Sequence, residues 1–234
     1  MQLFYNPSLD NSFKQFYFPE DESKHITKVL RKTNGDILHI TNGKGYLFKA
    51  EIINADTKKC KAQLISQERT IPRLHSLHLA VAPTKMNDRF EWFLEKATEI
   101  GVNEITPILC ERSERKSIKP ERFNRVLQSA MKQSLQTFLP QLNPMITLEE
   151  FVKNTKGDLK FIAHCEKEEK VELKRRLQAD KDCIVLIGPE GDFSLNEINT
   201  AYQEGYMPVS LGRNRLRTET AAIYACTVVA MVNN

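Results

Sequence analysis

The spacing of hydrophobic and polar residues changes character about one third of the way along the chain. The first part contains short runs in which apolar and polar residues alternate, as is typical of strands. These runs cover residues 36–41, 45–53 and 60–66. The Asn42-Gly43 pair between two of them is a typical hairpin turn. Residues 21–31 have one apolar side and predict a short helix. Because the strands are closely spaced and helices are few, we expect a small β-barrel.

From Leu74 onward, predicted strands alternate with predicted helices. The strands are 77–83, 104–110, 159–165, 182–188 and 208–212, and the helices are 88–100, 120–138, 168–178, 195–204 and one from Thr218. This alternation predicts an α/β domain with a parallel sheet and helices on its faces. The final helix is apolar nearly all round, so we expect the core or a subunit interface to bury it. The predicted domains are therefore 1–72 and 73–234.

Composition then excludes several classes of protein. The chain has 234 residues, of which 41% are hydrophobic and 27% charged, as in an ordinary globular protein. No apolar run approaches the roughly 20 residues that cross a bilayer, and the start lacks the pattern of a secretory signal, so no membrane is expected. The five cysteines are widely spaced without a C-x-x-C pair. This pattern favours free thiols in a reducing cytoplasm, with neither disulfides nor a metal site.

Charge is unevenly distributed along the chain. Residues 1–73 contain 12 Lys and Arg against 8 Asp and Glu, whereas the rest contains 22 of each. An excess of positive charge favours a polyanionic partner such as RNA. A second basic segment, 112–125, has six Lys and Arg against two Glu. It supplies candidate RNA contacts at Arg112, Arg115, Lys116 and Arg122, although an ordinary solvated helix face explains it equally well.

Two loops follow predicted strands of the parallel sheet, where ligands bind in folds of this class. The first is GPEGDFS, residues 188–194, whose glycines allow close approach to the backbone. Ser194 and Glu197 predict a capping box for the next helix. The alternative is an ordinary strand-to-helix turn.

The second loop, residues 210–220, has three arginines at alternating positions before the apolar final helix. Thr218 is a natural N-cap for that helix. Because charges close to a core are costly unless they are paired, the cluster favours a functional role over a solvated loop.

The sequence lacks the motifs of phosphate-binding, dinucleotide-binding, hydrolase and metal sites. The chain contains no GxxxxGK[ST], GxGxxG or GxSxG string, and its five histidines form no metal-spaced pair. His164-Cys165 stands at a strand end and is expected to be a packing pair rather than a nucleophile with its base.

Taken together, GPEGDFS, the later SLGRNRLRTETA and the stretch EKATEIGVNEITPILCERS at 95–113 resemble a known family. This family is the bacterial uridine N3-methyltransferases that act on 16S ribosomal RNA of the small subunit, within the SPOUT class. The resemblance covers essentially the whole chain. It implies a trefoil-knotted SPOUT domain, a PUA-like N-terminal β-barrel that docks RNA, and a homodimer.

The resemblance also implies S-adenosylmethionine as the methyl donor. The donor-binding residues that it carries onto this chain are Leu186, Gly188, Glu190, Gly191, Leu211, Gly212, Leu216, Arg217, Thr218 and Ala221. Beside the donor loop, Arg217 is expected to stabilise charge on the target uridine, and Glu219 to orient that base or accept its proton. Ordinary pairing of Arg217 with Glu219 at the helix start is the alternative.

Two positions depart from the family pattern. Asp192 stands where the family commonly has a second glycine, and Lys132–Gln136 replace an arginine-containing run, so Lys132 is a candidate substitute RNA contact. Two other functions remain open. One is a SPOUT methyltransferase for another RNA position, such as a tRNA ribose, and the other is a non-catalytic RNA-binding protein.

Overall fold

The structure, a computed structural model, describes residues 1–10 and 12–233. It divides into two compact units. The first contains Met1–Pro72 and Met131–Leu139, and the second contains Arg73–Ala130 and Pro140–Asn234. The first boundary falls where the charged segment before Leu74 ends, but nothing in the sequence indicated that 131–139 would join the first unit.

The first unit is built on a five-stranded sheet in the order β1-β3-β4-β5-β2. The strands are β1 Leu3–Tyr5, β2 Gln15–Tyr17, β3 Ile37–Thr41, β4 Tyr46–Asn54 and β5 Lys61–Arg69. β1 is parallel to β3, and the other pairs are antiparallel. Helix α1, Glu20–Lys24, continues into a π-helical turn. Phe4, Phe48 and Ile52 lie in the core of this unit, so the predicted alternation of β4 is confirmed.

Residues 131–139 join the first unit through the hairpin turn of β3 and β4. The backbone N–H of Gly45 donates to the Thr137 carbonyl at 2.9 Å, and that of Leu139 donates to Gly43 at 3.0 Å. The predicted helix 120–138 therefore extends too far. It ends at Gln133, and Leu135 takes a left-handed φ of 58° that a helix does not allow.

The second unit is built on a parallel sheet in the order β11-β13-β10-β12-β6-β7-β8, with β9 paired to β7. Its strands are β6 Leu77–Val81, β7 Glu104–Leu109, β8 Gln141–Leu142, β9 Ile146–Thr147, β10 Leu159–Ala163, β11 Val171–Glu172, β12 Cys183–Ile187 and β13 Met207–Ser210. Its helices are α2 Asn87–Ile100, α4 Leu148–Asn154, α5 Leu173–Arg176, α6 Leu195–Gln203 and α7 Thr218–Asn233, and α3, Pro120–Gln133, runs from this unit into the first. The α/β fold class is confirmed, and the knot stays a prediction.

Two parts of this unit differ from the sequence-based elements. The predicted helix 168–178 is wrong, because its start forms β11 beside β13 and only α5 remains helical. Helix α4 was not predicted, although Thr147 and Glu150 form a complete capping box at its start. Among the described residues, no helix is both long and apolar enough for a membrane span.

The register of the central strands brings three loops to one edge of the sheet. Ile187, the last residue of β12, lies beside Ala163 of β10 and Val81 of β6. Ala163 in turn lies beside Val209 of β13. The chain therefore leaves β10, β12 and β13 at the same carboxyl edge. All five residues of β12 are buried, as its apolar run predicts.

Candidate functional site

A cavity of about 720 Å³ opens at this carboxyl edge of the second unit. Its walls are residues 163–166 and Lys170 after β10, residues 187–190 and Asp192 after β12, residues 209–218 from β13 onward, and Ala221 of α7. A volume in this range suits a cofactor-sized ligand. Both loops that the sequence singled out therefore line one site.

The first loop is tightly packed at the glycine where it starts. A Cβ at Gly188 would lie 3.1 Å from the Phe193 ring, so the ring can pack directly on the backbone. The Thr218 hydroxyl donates to the Gly188 carbonyl at 3.0 Å and ties the start of α7 to the end of β12. The capping box of Ser194 and Glu197 is confirmed and fixes the start of α6. The loop is thus held at both ends.

The Asp192 side chain accepts hydrogen bonds that a glycine at this position could not accept. Its φ of 64° lies in the left-handed region, which glycine adopts more easily. One carboxylate oxygen accepts from the Cys165 N–H at 2.7 Å and the other from the Phe193 N–H at 2.9 Å. These bonds tie the loop after β12 to the loop after β10.

The second loop exposes its backbone and its arginines to the cavity. Gly212 has a φ of 121°, and no atom of the described residues lies within 4 Å of the place that a Cβ would take. The Ser210 hydroxyl donates to the Gly212 carbonyl at 3.0 Å. Arg213, Arg215 and Arg217 are exposed, and within the described part of the chain no carboxylate forms an ion pair with them. Their guanidinium groups are available to a ligand.

The remaining wall holds a group of titratable side chains that the sequence analysis missed. His164 Nε2 lies 2.9 Å from the Tyr202 hydroxyl and 3.0 Å from Glu168 Oε1, and Nδ1 lies 3.4 Å from the Lys170 ammonium. Burial first, and the Lys170 charge second, lower the pKa of His164, which favours a neutral imidazole. The Tyr202 hydroxyl lowers the pKa of Glu168 by donating to it.

His164 and Cys165 both line the cavity, and the interpretation that they pack rather than act as a nucleophile with its base stays a prediction. Cys165 is exposed, but its thiol is still partly buried. This partial burial is the largest of the effects that raise the pKa of Cys165. The available signal was positional, because both residues follow a strand that ends at the ligand-binding edge.

Most of the expected donor residues meet at the cavity. Those lining it are Gly188, Glu190, Leu211, Gly212, Leu216, Arg217, Thr218 and Ala221. Two lie elsewhere. Leu186 is fully buried in the hydrophobic core, because side chains alternate along β12. Gly191 lies outside the lining, and its carbonyl accepts from Arg112.

Glu219 does not lie where a catalytic role beside Arg217 requires it. It is buried and outside the cavity lining, and Oε1 lies 3.9 Å from Nε of Arg89 on α2. Its Oε2 has no hydrogen-bond partner among the residues that the structure describes. The reason is helical geometry, since each residue turns the helix by about 100° and Thr218 already faces the Gly188 carbonyl. The expected pairing of Arg217 with Glu219 is therefore also wrong.

Two of the expected RNA contacts hold protein backbone instead. Arg112 Nη1 donates to the Gly191 carbonyl at 3.0 Å. Arg115 donates to the Asn87 side chain and, at 3.2 Å, to the Lys85 carbonyl. These arginines brace the loops after β6 and β12, so part of each guanidinium group is already bonded to the protein.

The other residues that were expected to contact RNA differ in whether a carboxylate already pairs with them. Arg122 forms an ion pair with Glu91, and the Lys132 ammonium lies 3.2 Å from Glu22. Lys116 is exposed, and in the described ranges it forms no ion pair. The basic segment 112–125 thus presents far less free charge than its composition indicates.

The cavity has the chemistry of a site for a cationic nucleoside. The open backbone at Gly212, beside the apolar side chains of Leu211 and Leu216, suits a flat adenine-like ring. Carboxylates at Glu190 and Asp192 suit a positively charged centre. Among residues 1–10 and 12–233, no group of three or more His, Cys, Asp or Glu could hold a metal ion.

Comparison with known proteins agrees with this geometry. Residues 72–230 match the family described as RNA methyltransferase domain, and residues 18–65 match the RNA methyltransferase PUA domain. The ribosomal RNA small subunit methyltransferase E of Buchnera aphidicola is 32% identical, over 94% of this chain and 89% of that protein.

Two solved structures extend the similarity to three dimensions. A probable rRNA-methyltransferase from Porphyromonas gingivalis is 39% identical, with a TM-score of 0.93 over 100% of this chain and 98% of the other. A Legionella pneumophila methyltransferase solved with bound SAM is 29% identical, with a TM-score of 0.88 over 99% and 97%. The family match covers more than half of the chain and its range includes the cavity residues, so this chain belongs to the RNA methyltransferase family.

Proposed function

We propose that the protein transfers a methyl group from S-adenosylmethionine to N3 of a uridine in small-subunit ribosomal RNA. The observation that carries this proposal is the cavity at the carboxyl edge. Two glycine-containing loops line it, and the second of them supplies three arginines. The proposal's support from relatives is the 32% identity to the Buchnera aphidicola protein that is named ribosomal RNA small subunit methyltransferase E. The trefoil knot that the resemblance implies belongs to the same proposal.

The chain's own residues fit the methyl donor. Gly188, Leu211, Gly212 and Leu216 would hold the adenosine part, and Glu190 would lie near the positive charge. When bound, S-adenosylmethionine supplies an electrophilic methyl group on its sulfonium.

Arg217 is the residue that we assign to the target base. Neutral uridine N3 is a poor nucleophile, so loss of its proton must become easier before the methyl group can be accepted. The Arg217 guanidinium reaches the cavity without a carboxylate partner from the described residues, and it would stabilise negative charge on the uridine oxygens. With Glu219 turned towards Arg89, no proton acceptor is assigned on α7.

The decisive experiment compares the Arg217→Ala variant with the parent protein. We expect kcat to fall by about 10²- to 10³-fold while the donor Kd, measured by calorimetry, changes by less than about tenfold. The Glu219→Gln variant should keep a kcat within about fivefold, because its side chain lies outside the cavity. Parent-level turnover in Arg217→Ala would remove this residue from catalysis.

The product identifies the reaction. Mass spectrometry of nucleosides from ribosomal RNA, treated with the protein and donor, should show 3-methyluridine. A ribose-methylated nucleoside would favour a different RNA target, and donor binding without any methylated product would favour a non-catalytic RNA-binding protein.

The domain division has a functional counterpart in this proposal. Residues 1–72 would dock the RNA as a PUA-like module, and residues 73–234 would carry out methyl transfer. Deleting residues 1–72 would uncover the backbone groups of 137–139 that the hairpin turn now satisfies. Surface substitutions therefore test RNA docking better than truncation does.

We also propose a homodimer that acts in the cytoplasm. Helix α7 is apolar nearly all round, yet Tyr224 and Met231 on it are 40% and 75% exposed. A second copy of the chain would cover these side chains, and Met231→Glu should then shift light-scattering mass towards the monomer. The five free cysteines fit a reducing compartment.

A further inference from the structure

The edge of the first unit's sheet presents an aromatic side chain among basic ones. β2 is an edge strand, and Tyr17 lies directly across from Lys61 on β5, as Gln15 does from Gln63. Between them, Phe16 and Ala62 turn inward and are buried, so the outer residues share one face. The segments that form this surface read KQFY and KKCK in the sequence.

Tyr17 and two lysines form a compact group on this face. The Tyr17 side chain is 49% exposed, although aromatic residues at strand positions usually pack inward. The Lys59 ammonium lies 4.5 Å from the centre of the Tyr17 ring, and the Lys61 ammonium lies 5.5 Å from it. We refer to Tyr17, Lys59 and Lys61 as the tyrosine-lysine group.

The charges of this group are not neutralised by the protein. Among the described residues, neither Lys59 nor Lys61 forms an ion pair with a carboxylate. Asp56, three residues before Lys59, accepts the backbone N–H groups of Lys58 and Lys59, both at 2.8 Å. Its carboxylate therefore shapes the turn that presents the lysines.

We propose that the tyrosine-lysine group is a stacking site for an unpaired base of the RNA substrate, with the two ammonium groups contacting the adjacent phosphates. The inference rests on the proposed function and assigns this surface to its RNA. Single-stranded RNA is bound through aromatic side chains on which bases stack, together with cations that follow the backbone. An exposed tyrosine beside two lysines without carboxylate partners in the described chain provides both features.

RNA fits this surface better than a protein partner does. The neighbouring outer side chains, Gln15 and Gln63, are polar. Glu51, across from Gln63 on β4, places a carboxylate on the side of the face away from Tyr17. In contrast, Arg112 and Arg122 in the other basic region are already bonded to the protein itself.

The test uses the full-length protein and a fluorescent single-stranded RNA oligonucleotide. Tyr17→Ala should weaken its binding by about 5- to 100-fold, the range that loss of one stacked base gives. Tyr17→Phe keeps the ring and should bind within about twofold of the parent. Because the side chain is half exposed, thermal melting of each variant should match the parent.

The lysines are tested by their salt dependence. In K59A/K61A, the slope of log affinity against log salt should become shallower by about 1.4, since each neutralised phosphate on a single strand contributes about 0.7. The matched control is K156A/K181A, which removes two exposed lysines from the second unit. That control should keep the parent slope.

The outcomes separate this proposal from the function on which it rests. If the parent binds and methylates RNA, but Tyr17→Ala and K59A/K61A behave like it, the tyrosine-lysine group is not the RNA site and the function stands. If the parent makes no methylated nucleoside, yet these variants lose RNA affinity as expected, the RNA site stands and the function fails. Equal losses in Tyr17→Ala and Tyr17→Phe would overturn stacking.

Discussion

Two arginine-containing segments of the second unit follow strands of the same parallel sheet and behave in opposite ways. After β7, Arg112 and Arg115 donate to protein carbonyls and a side-chain amide. After β13, Arg213 and Arg217 line the cavity with no carboxylate partner within the described residues. Both segments are basic, so their composition alone did not show which one binds a ligand. The difference lies in whether unsatisfied protein acceptors are within reach, which only the fold determines.

The two segments are complementary rather than redundant. The segment after β7 holds the outer side of the first loop, through Arg112 at Gly191 and through the Glu111 N–H, which donates to Glu197 at 2.8 Å. The inner side of the same loop lines the cavity through Gly188 and Glu190. One segment thus fixes the shape of the site, and the other supplies its free charge.

The largest effect is expected at the loop that carries the free arginines. Gly212→Ala places a Cβ on a residue with a φ of 121°, a conformation that costs other residues about 1–3 kcal/mol. The loop would relax to another shape, and binding would have to restore it. We therefore expect calorimetry to show donor affinity about tenfold weaker or more.

Gly35 in the first unit provides the matched control. It also has a positive φ, 90°, and no atom of the described chain lies within 4 Å of the place that its Cβ would take. Gly35→Ala should lower thermal stability while donor affinity stays at the parent value. Unchanged donor affinity in Gly212→Ala would mean that the second loop does not shape the donor site.

The sequence predicted the position of the two loops because its determinants are local. Strand ends, glycines and caps are encoded by short stretches, and a parallel sheet collects its loops at one edge. That is why the loops containing Gly188 and Gly212 were expected at the same edge, whereas the choice of donor residues within them came from the family resemblance.

The failures all involve partners distant in sequence. Glu219 faces Arg89, and Lys132 contacts Glu22, 110 residues away. Residues 134–138 leave the predicted helix, and Thr137 and Leu139 pair instead with the backbone of the turn at Gly43 and Gly45. Helical periodicity gives which residues share a face, but it does not tell which neighbour that face will meet.

Asp192 links the two loops and should show a graded response. Asp192→Ala loses both hydrogen bonds and keeps the left-handed strain, so it should weaken donor binding most, by about fivefold to tenfold. Asp192→Gly loses the bonds but relieves the strain, and should fall between Ala and the parent. Asp192→Asn keeps only one of the two acceptor oxygens, so it should bind the donor less well than the parent but better than Asp192→Ala. Calorimetry would contradict this account if Gly were as impaired as Ala.

The brace after β7 should affect the donor rather than RNA. Arg112→Ala frees the Gly191 and Phe193 carbonyls, 3.0 and 3.4 Å from Nη1, and loosens the first loop. Since the guanidinium is solvent-exposed, we expect only about a threefold to tenfold loss of donor affinity. The salt slope of RNA binding should stay unchanged. A slope shallower by about 0.7 would show instead that Arg112 contacts a phosphate.

The smallest effect is expected at Arg122, and it tests whether an arginine already paired inside the protein can still contribute to RNA binding. Its guanidinium donates to Glu91 Oε2 at 3.0 Å, and the carboxylate raises the pKa of Arg122. Because the exposed Arg122 guanidinium is already paired with Glu91 and screened by salt, Arg122→Ala should change RNA affinity by less than about twofold. Glu91→Gln would release the guanidinium, so its RNA affinity should equal or exceed that of the parent. A clear loss of RNA affinity in Arg122→Ala, with a shallower salt slope, would mean that RNA displaces Glu91. Pairing inside the protein would then not decide which arginines are free to bind a ligand.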